Sequence, residues 1–160
     1  MAYTSELDFE KDLINVLTND KSWEKNVLKN KTEEELIQNW MDILYDNNKG
    51  IDSLNGVRLT KTEMGQILTQ ISIAGSPFKI NKIINGKIIS IKRDNPLDKL
   101  HFGKTAYLKI YDRQEIAAGK SRYQIAEQPH FKAKSALLND RRGDFMLLIN
   151  GMPVIHVELK

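Results

Sequence analysis

The stretch from Asp144 to Lys160 sets two carboxylates and an amine into otherwise largely apolar sequence. If its second half is a strand, Val154, His156, Glu158 and Lys160 share one face, and Ile155, Val157 and Leu159 share the other. An isolated Glu-x-Lys at a strand end ordinarily reaches solvent. Asp144 changes that weighing, because Asp144 and Glu158 are symmetric about Gly151. A hairpin loop with an odd number of residues centred there sets the two carboxylates opposite each other. A two-residue Asn150-Gly151 loop puts them on opposite faces instead. Pro153 lacks an N–H, which disfavours the tightest closure and favours a loop of three or five residues. Two convergent carboxylates and a lysine suit phosphodiester hydrolysis. Hard carboxylate oxygens on Asp144 and Glu158 hold Mg2+, which polarises a phosphate and acidifies water, and Lys160 steadies the developing negative charge.

Other candidates lie further back. At helical spacing Leu7, Glu10, Leu13, Ile14 and Leu17 fall on one arc, so Glu10 projects from an apolar face where a carboxylate needs a reason to be. Glu6 is one turn earlier, and the helix dipole explains it in a first turn as well as a site would. Arg141, Arg142, Lys132 and Lys134 are candidate DNA contacts, and Lys79, Lys82, Lys87, Lys92 and Arg93 form a second basic set. For all of these a solvated face is the competing explanation.

The elements that must position these groups are partly visible. Ser5 with Asp8, Thr32 with Glu35 and Thr60 with Glu63 mark three helix starts. The first helix runs to about Thr18, the second to the polar Asp46–Gly50 stop, and the third to a break at Gly75 and Pro77. Beyond Pro77, Lys87–Lys92, Thr105–Tyr111 and Arg122–Ala126 read as strands, followed by the hairpin about Asn150-Gly151. The expected class is α/β or α+β with a mixed sheet. The expected organisation is one domain over residues 1–160, helical over 5–75 and strand-rich over 78–160.

Composition excludes more than it assigns. The chain has 160 residues, 41% of them hydrophobic, 24 basic against 21 acidic residues and no cysteine. This fits one core of ordinary size, permits nucleic-acid contact without requiring it, and rules out disulfide and thiolate chemistry. A polar, acidic start and the lack of a long apolar run point to a soluble, cytoplasmic protein. Gly103-Lys104-Thr105 is a false phosphate-loop ending, because Asp98 stands where the motif needs glycine. His101, His130 and His156 are too scattered for a zinc site, and Trp23 and Trp40 read as core and rim.

Ser5 to Ile14, Leu54-Asn55-Gly56-Val57 and Gly143-Asp144 through Asn150-Gly151-Met152-Pro153 to Val157-Glu158-Leu159-Lys160 together resemble the N-terminal end of the restriction (R) subunit of type I restriction-modification enzymes. The resemblance covers both ends of the chain and part of the middle. It implies a PD-(D/E)xK endonuclease fold in which Asp144 and Glu158 hold Mg2+, Lys160 is catalytic and a helix-one glutamate such as Glu10 assists. It further implies a type I site-specific deoxyribonuclease acting on unmodified foreign duplex DNA, with modification and specificity subunits as partners. The ATP-binding translocase motor is expected outside these residues, and the isolated fragment is expected to be inactive, its domain incomplete after the Glu-x-Lys strand. Two alternatives are a non-catalytic DNA-binding or docking module on the same scaffold and a stand-alone repair or junction nuclease. The intact Asp, Glu and Lys set weighs against the first, and the Asn-Gly-Met-Pro turn and the helical insert weigh against the second.

Overall fold

A computed structural model describes residues 5–84, 88–110, 121–133 and 140–159, with the backbone alone at Pro77, Asn81, Ile83 and Ile84. The elements in chain order are α1 (Glu6–Asp20), β1 (Leu28–Lys29), α2 (Glu33–Asn48), a 3-10 turn (Asp52–Leu54), α3 (Lys61–Ile73) and α4 (Pro77–Ile84). After these come β2 (Ile88–Lys92), β3 (Thr105–Lys109), β4 (Tyr123–Glu127), β5 (His130–Phe131), β6 (Arg141–Arg142), β7 (Phe145–Ile149) and β8 (Met152–Val157). The class is α+β with a mixed sheet, as the sequence pattern requires.

The three expected helices form where their caps predict. The Ser5 side chain accepts from the Asp8 N–H, and Thr60 and Glu63 make a reciprocal capping box at α3. Thr32 and Glu35 exchange the same two bonds at the start of α2, which satisfies N–H groups that a helix leaves without partners. One helix departs from expectation. Pro77, expected to end helical structure, instead begins α4, with the backbone carbonyl of Ser76 accepting from Ile80. A proline at the first helical position loses no hydrogen bond.

The chain divides into two compact units, Met1–Trp40 with Ser121–Lys160, and Met41–Lys120. In the first, the strands are ordered β1-β4-β7-β8, with β1 parallel to β4 and the other pairs antiparallel. Ile125, Phe145 and Leu147 on one sheet face pack with Leu13, Ile14 and Leu17 of α1, and with Trp23, Val27 and Val157. On the other face Ala126 and Leu148 pack with Leu36 of α2. Burying each large side chain contributes about 1.5–3 kcal/mol, so these two layers hold the strand ends that carry the candidate site.

The second unit contains the antiparallel β2–β3 pair, with Ile89, Ile91, Ala106 and Leu108 buried at alternate positions. Gln66 and Gln70 of α3 bond the β2 backbone at Lys92 and Ser90 in place of a further strand. Arg93, read above as a possible phosphate contact, is buried instead. Its guanidinium lies 2.7 Å from Glu63 and 3.3 Å from Asp98, and it donates to the Val57 carbonyl. A guanidinium taken from water needs this set of acceptors, so Arg93 is structural. Burial pushes the Asp98 carboxyl up, but bonds from the His101 N–H, the Asn55 amide and the His101 ring hold it below its ordinary value. Among the described residues no helix is long and apolar enough to cross a membrane.

Candidate active site

The hairpin closes by an unexpected route. Ile149 pairs with Met152, so the loop is the two-residue Asn150-Gly151 turn and not one of three or five residues. Both turn residues have positive φ, 51° and 82°, as the tight primed turns require. Pro153 is accommodated opposite Leu148, on a strand at the end of the described sheet, where a missing N–H is tolerated. The register then shifts. Leu147 pairs with Ile155, leaving Val154 as an extra residue, and Phe145 pairs with Val157. The bulge restores the symmetry about Gly151 that the loop itself lacks. The ladder ends at Phe145 opposite Val157, so Asp144 and Glu158 are the residues that directly follow its last pair.

Asp144 is partly buried and tied down on two sides. Its carbonyl accepts from the Gln128 N–H at 2.7 Å, and its carboxylate accepts the backbone N–H of Leu159. Glu10 of α1 is buried, and its Oε1 has no hydrogen-bond partner among the described residues. Burial holds the Glu10 carboxyl above its ordinary value. The negative charges of Glu127 and Asp144 push it the same way, while the Gln128 amide and the Arg142 guanidinium pull it down. Two carboxylates, at the end of β4 and just before β7, are thus within electrostatic reach of Glu10 on α1. Glu127 also pairs with Lys29 at 2.8 Å, and this bond raises the lysine pKa. Glu6, by contrast, is exposed in the first turn of α1, where the helix dipole accounts for it.

Glu158 is exposed and borders a cavity of about 520 Å3 that Phe131, His156, Arg141 and Arg142 also line. His156, expected to be a packed or surface residue, is exposed and lines this cavity. Arg142 donates to the Gln128 side chain, and Lys132 lies 3.8 Å from Glu34 at the surface. Lys160 and Lys134 lie outside the described residues.

The donor set fits a hard divalent cation. Carboxylate oxygens dominate, and a buried carboxylate oxygen without a partner, raised in pKa by like charges, is what a cation would relieve. Among the described residues no three His, Asp or Glu side chains stand close enough to enclose an ion. Mg2+ is ordinarily held by one or two carboxylates together with water and substrate phosphate, so a two-carboxylate set suffices. Glu127 and Gln128 were not singled out from the sequence. The available signal was a glutamate ending an apolar β-run, and Gln128 stands at positive φ, 51°.

A family model described as "Type I restriction enzyme R protein N terminus" matches residues 3–160. The chain is 30% identical over 162 residues to the type I restriction enzyme SsaAORF53P endonuclease subunit of Staphylococcus saprophyticus, covering 100% of this chain and 15% of that protein. It is 29% identical, with the same coverage, to the SauMSSORF170P and SauMW2ORF169P endonuclease subunits of Staphylococcus aureus strains MSSA476 and MW2. The chain thus spans 15% of the length of these relatives.

Proposed function

Because the chain belongs to the family of type I restriction enzyme R protein N termini, we propose that it is the endonuclease region of such a subunit, cleaving phosphodiester bonds of unmodified foreign duplex DNA with Mg2+. The reading is supported by the β7–β8 register, which runs to Phe145 opposite Val157 and so brings Asp144 and Glu158 next in line, and by the electrostatic coupling of Asp144 to the buried Glu10. In this reading the fold is a PD-(D/E)xK nuclease and the enzyme a type I site-specific deoxyribonuclease.

Asp144 and Glu158 would hold the cation, which would supply Lewis acidity at the scissile phosphate. Lys160 supplies a positive charge to the negative charge that develops on the phosphate. Glu10, held above its ordinary pKa by burial and by the like charges of Glu127 and Asp144, completes the carboxylate set. Arg141, Arg142, Lys132 and Lys134 receive the DNA backbone. The ATP-driven motor belongs to the remainder of the full-length subunit. The modification and specificity subunits supply recognition, and the assembly works in the cytoplasm.

A second reading, a docking module without catalysis, draws on the lack of three closely convergent ligands among the described residues. One experiment separates the two. In the complete subunit assembled with its partners, Glu158→Ala and Lys160→Ala should lower DNA cleavage by about 100-fold or more, the usual cost of losing one such electrostatic group. DNA-stimulated ATPase activity should be retained, and the isolated chain should cut little or not at all. Normal cleavage by both variants favours the docking module. Joint loss of cleavage and ATPase activity in a folded variant means that this region is coupled to the motor.

A further inference from the structure

The cavity beside Glu158 carries more than backbone binding needs. Its volume of about 520 Å3 lies within the range of about 300–1,000 Å3 that encloses a ligand of nucleotide size. Phe131 and His156 line it as an edge-to-face pair, ring centroids 6.5 Å apart and planes at 62°, with Phe131 half-buried and His156 exposed. Arg141 and Arg142 are at its margin, both exposed, on the strand that pairs with Phe131 and His130. Gly143 has a specific part here. A Cβ at that position would lie 2.6 Å from His156 Nε2, so the absence of a side chain is what lets the imidazole settle against the strand.

We propose that this cavity is a pocket for one unpaired nucleotide of a DNA strand, its base lying against Phe131 and His156 and its phosphate held by Arg141 and Arg142. DNA as the ligand rests on the nuclease reading. Basic side chains alone suffice for a phosphate backbone, and they work on an open surface. A half-open aromatic pair inside a recess serves a π-face instead, and bases in an intact duplex have theirs covered by stacking. The bound strand is therefore locally unstacked beside the carboxylates.

Binding of the 160-residue chain, measured without divalent cation, tests this. The ligands are a hairpin duplex with one extrahelical 2-aminopurine and the same duplex fully paired. The extrahelical base should bind about 5- to 100-fold more tightly, the range expected for one base on an aromatic platform, and its fluorescence should be quenched. Phe131→Ala and His156→Ala should abolish both the preference and the quenching while affinity for the paired duplex holds. Arg141→Ala with Arg142→Ala should weaken binding to both DNAs. Gly143→Ala should match His156→Ala, and the double variant should be no worse than either single one. If Phe131→Ala does not fold by circular dichroism, the other two variants decide. Equal affinity of the unaltered chain for the two DNAs, or a preference that survives His156→Ala and Gly143→Ala, overturns the proposal. No cleavage enters the assay, so a chain that grips the extrahelical base but cuts nothing in its assembly keeps the pocket and loses the nuclease reading. Cleavage without the preference does the reverse.

Discussion

Each unit of the chain buries carboxylates, and the two do so in opposite ways. Glu63 and Asp98 are fully buried around Arg93, and backbone N–H groups of Thr60 and Asp94 donate to Glu63 while that of His101 donates to Asp98. Glu10 is also buried, but among the described residues one of its oxygens lacks a partner, and its neighbours Glu127 and Asp144 share its sign. Desolvation disfavours charge in both places. It is offset in one by counter-charge and hydrogen bonds and in the other only partly, by Gln128 and Arg142. Burial of a carboxylate therefore does not by itself mark a site, and what distinguishes Glu10 is that its burial is only partly compensated.

Arg93→Ala is expected to have the largest effect. It strands two buried carboxylates, which typically costs about 3–5 kcal/mol. Urea denaturation, with hydrogen exchange across α3 and β2, measures it; a loss under about 1 kcal/mol breaks the contrast between the two regions. Next comes Asp144→Ala, in which calorimetry should show Mg2+ or Mn2+ binding weakened by more than the factor of about 10–100 that loss of an outer partner costs. Unchanged binding removes Asp144 from the site.

Glu10→Gln should move stability the other way. Because the folded pKa is raised, the folded chain holds a proton that the unfolded chain has lost, and stability falls as pH rises from the ordinary 4.5 through the folded value. The glutamine variant should flatten that slope and melt about 2–4 °C higher near neutrality, the equivalent of about 1 kcal/mol, while cleavage by the assembly declines. Thermal melts across that pH window check the sign, and an unchanged slope means that Glu10 is compensated after all. The smallest effect belongs to an exposed pair, Lys31 with Glu35 at 2.8 Å. Lys31→Met should change stability by no more than about 0.5 kcal/mol, which gives the scale against which the buried sets stand out.

Local signals were legible and long-range ones were not. Ser5, Thr32 and Thr60 announce α1, α2 and α3 because a cap bonds N–H groups two or three residues away. The same locality hid α4, since Pro77 reads as a breaker unless Ser76 before it is taken as the cap. β1, β5 and β6 are each two residues long, and no period can show in a strand that only its partner defines. The basic cluster misled at Arg93, whose burial depends on Glu63, 30 residues back in the chain.

By itself the sequence determined where three helices start, which strand faces are apolar, and the equal spacing of Asp144 and Glu158 about Gly151, because these follow from neighbouring residues. The tertiary structure alone decided that a two-residue turn and a bulge at Val154 would realise that spacing, since register is set by pairing and packing across strands. It also decided which carboxylates are compensated. Coulomb and desolvation energies depend on distance in space, and Glu10, Glu127 and Asp144 are neighbours only once the chain has folded.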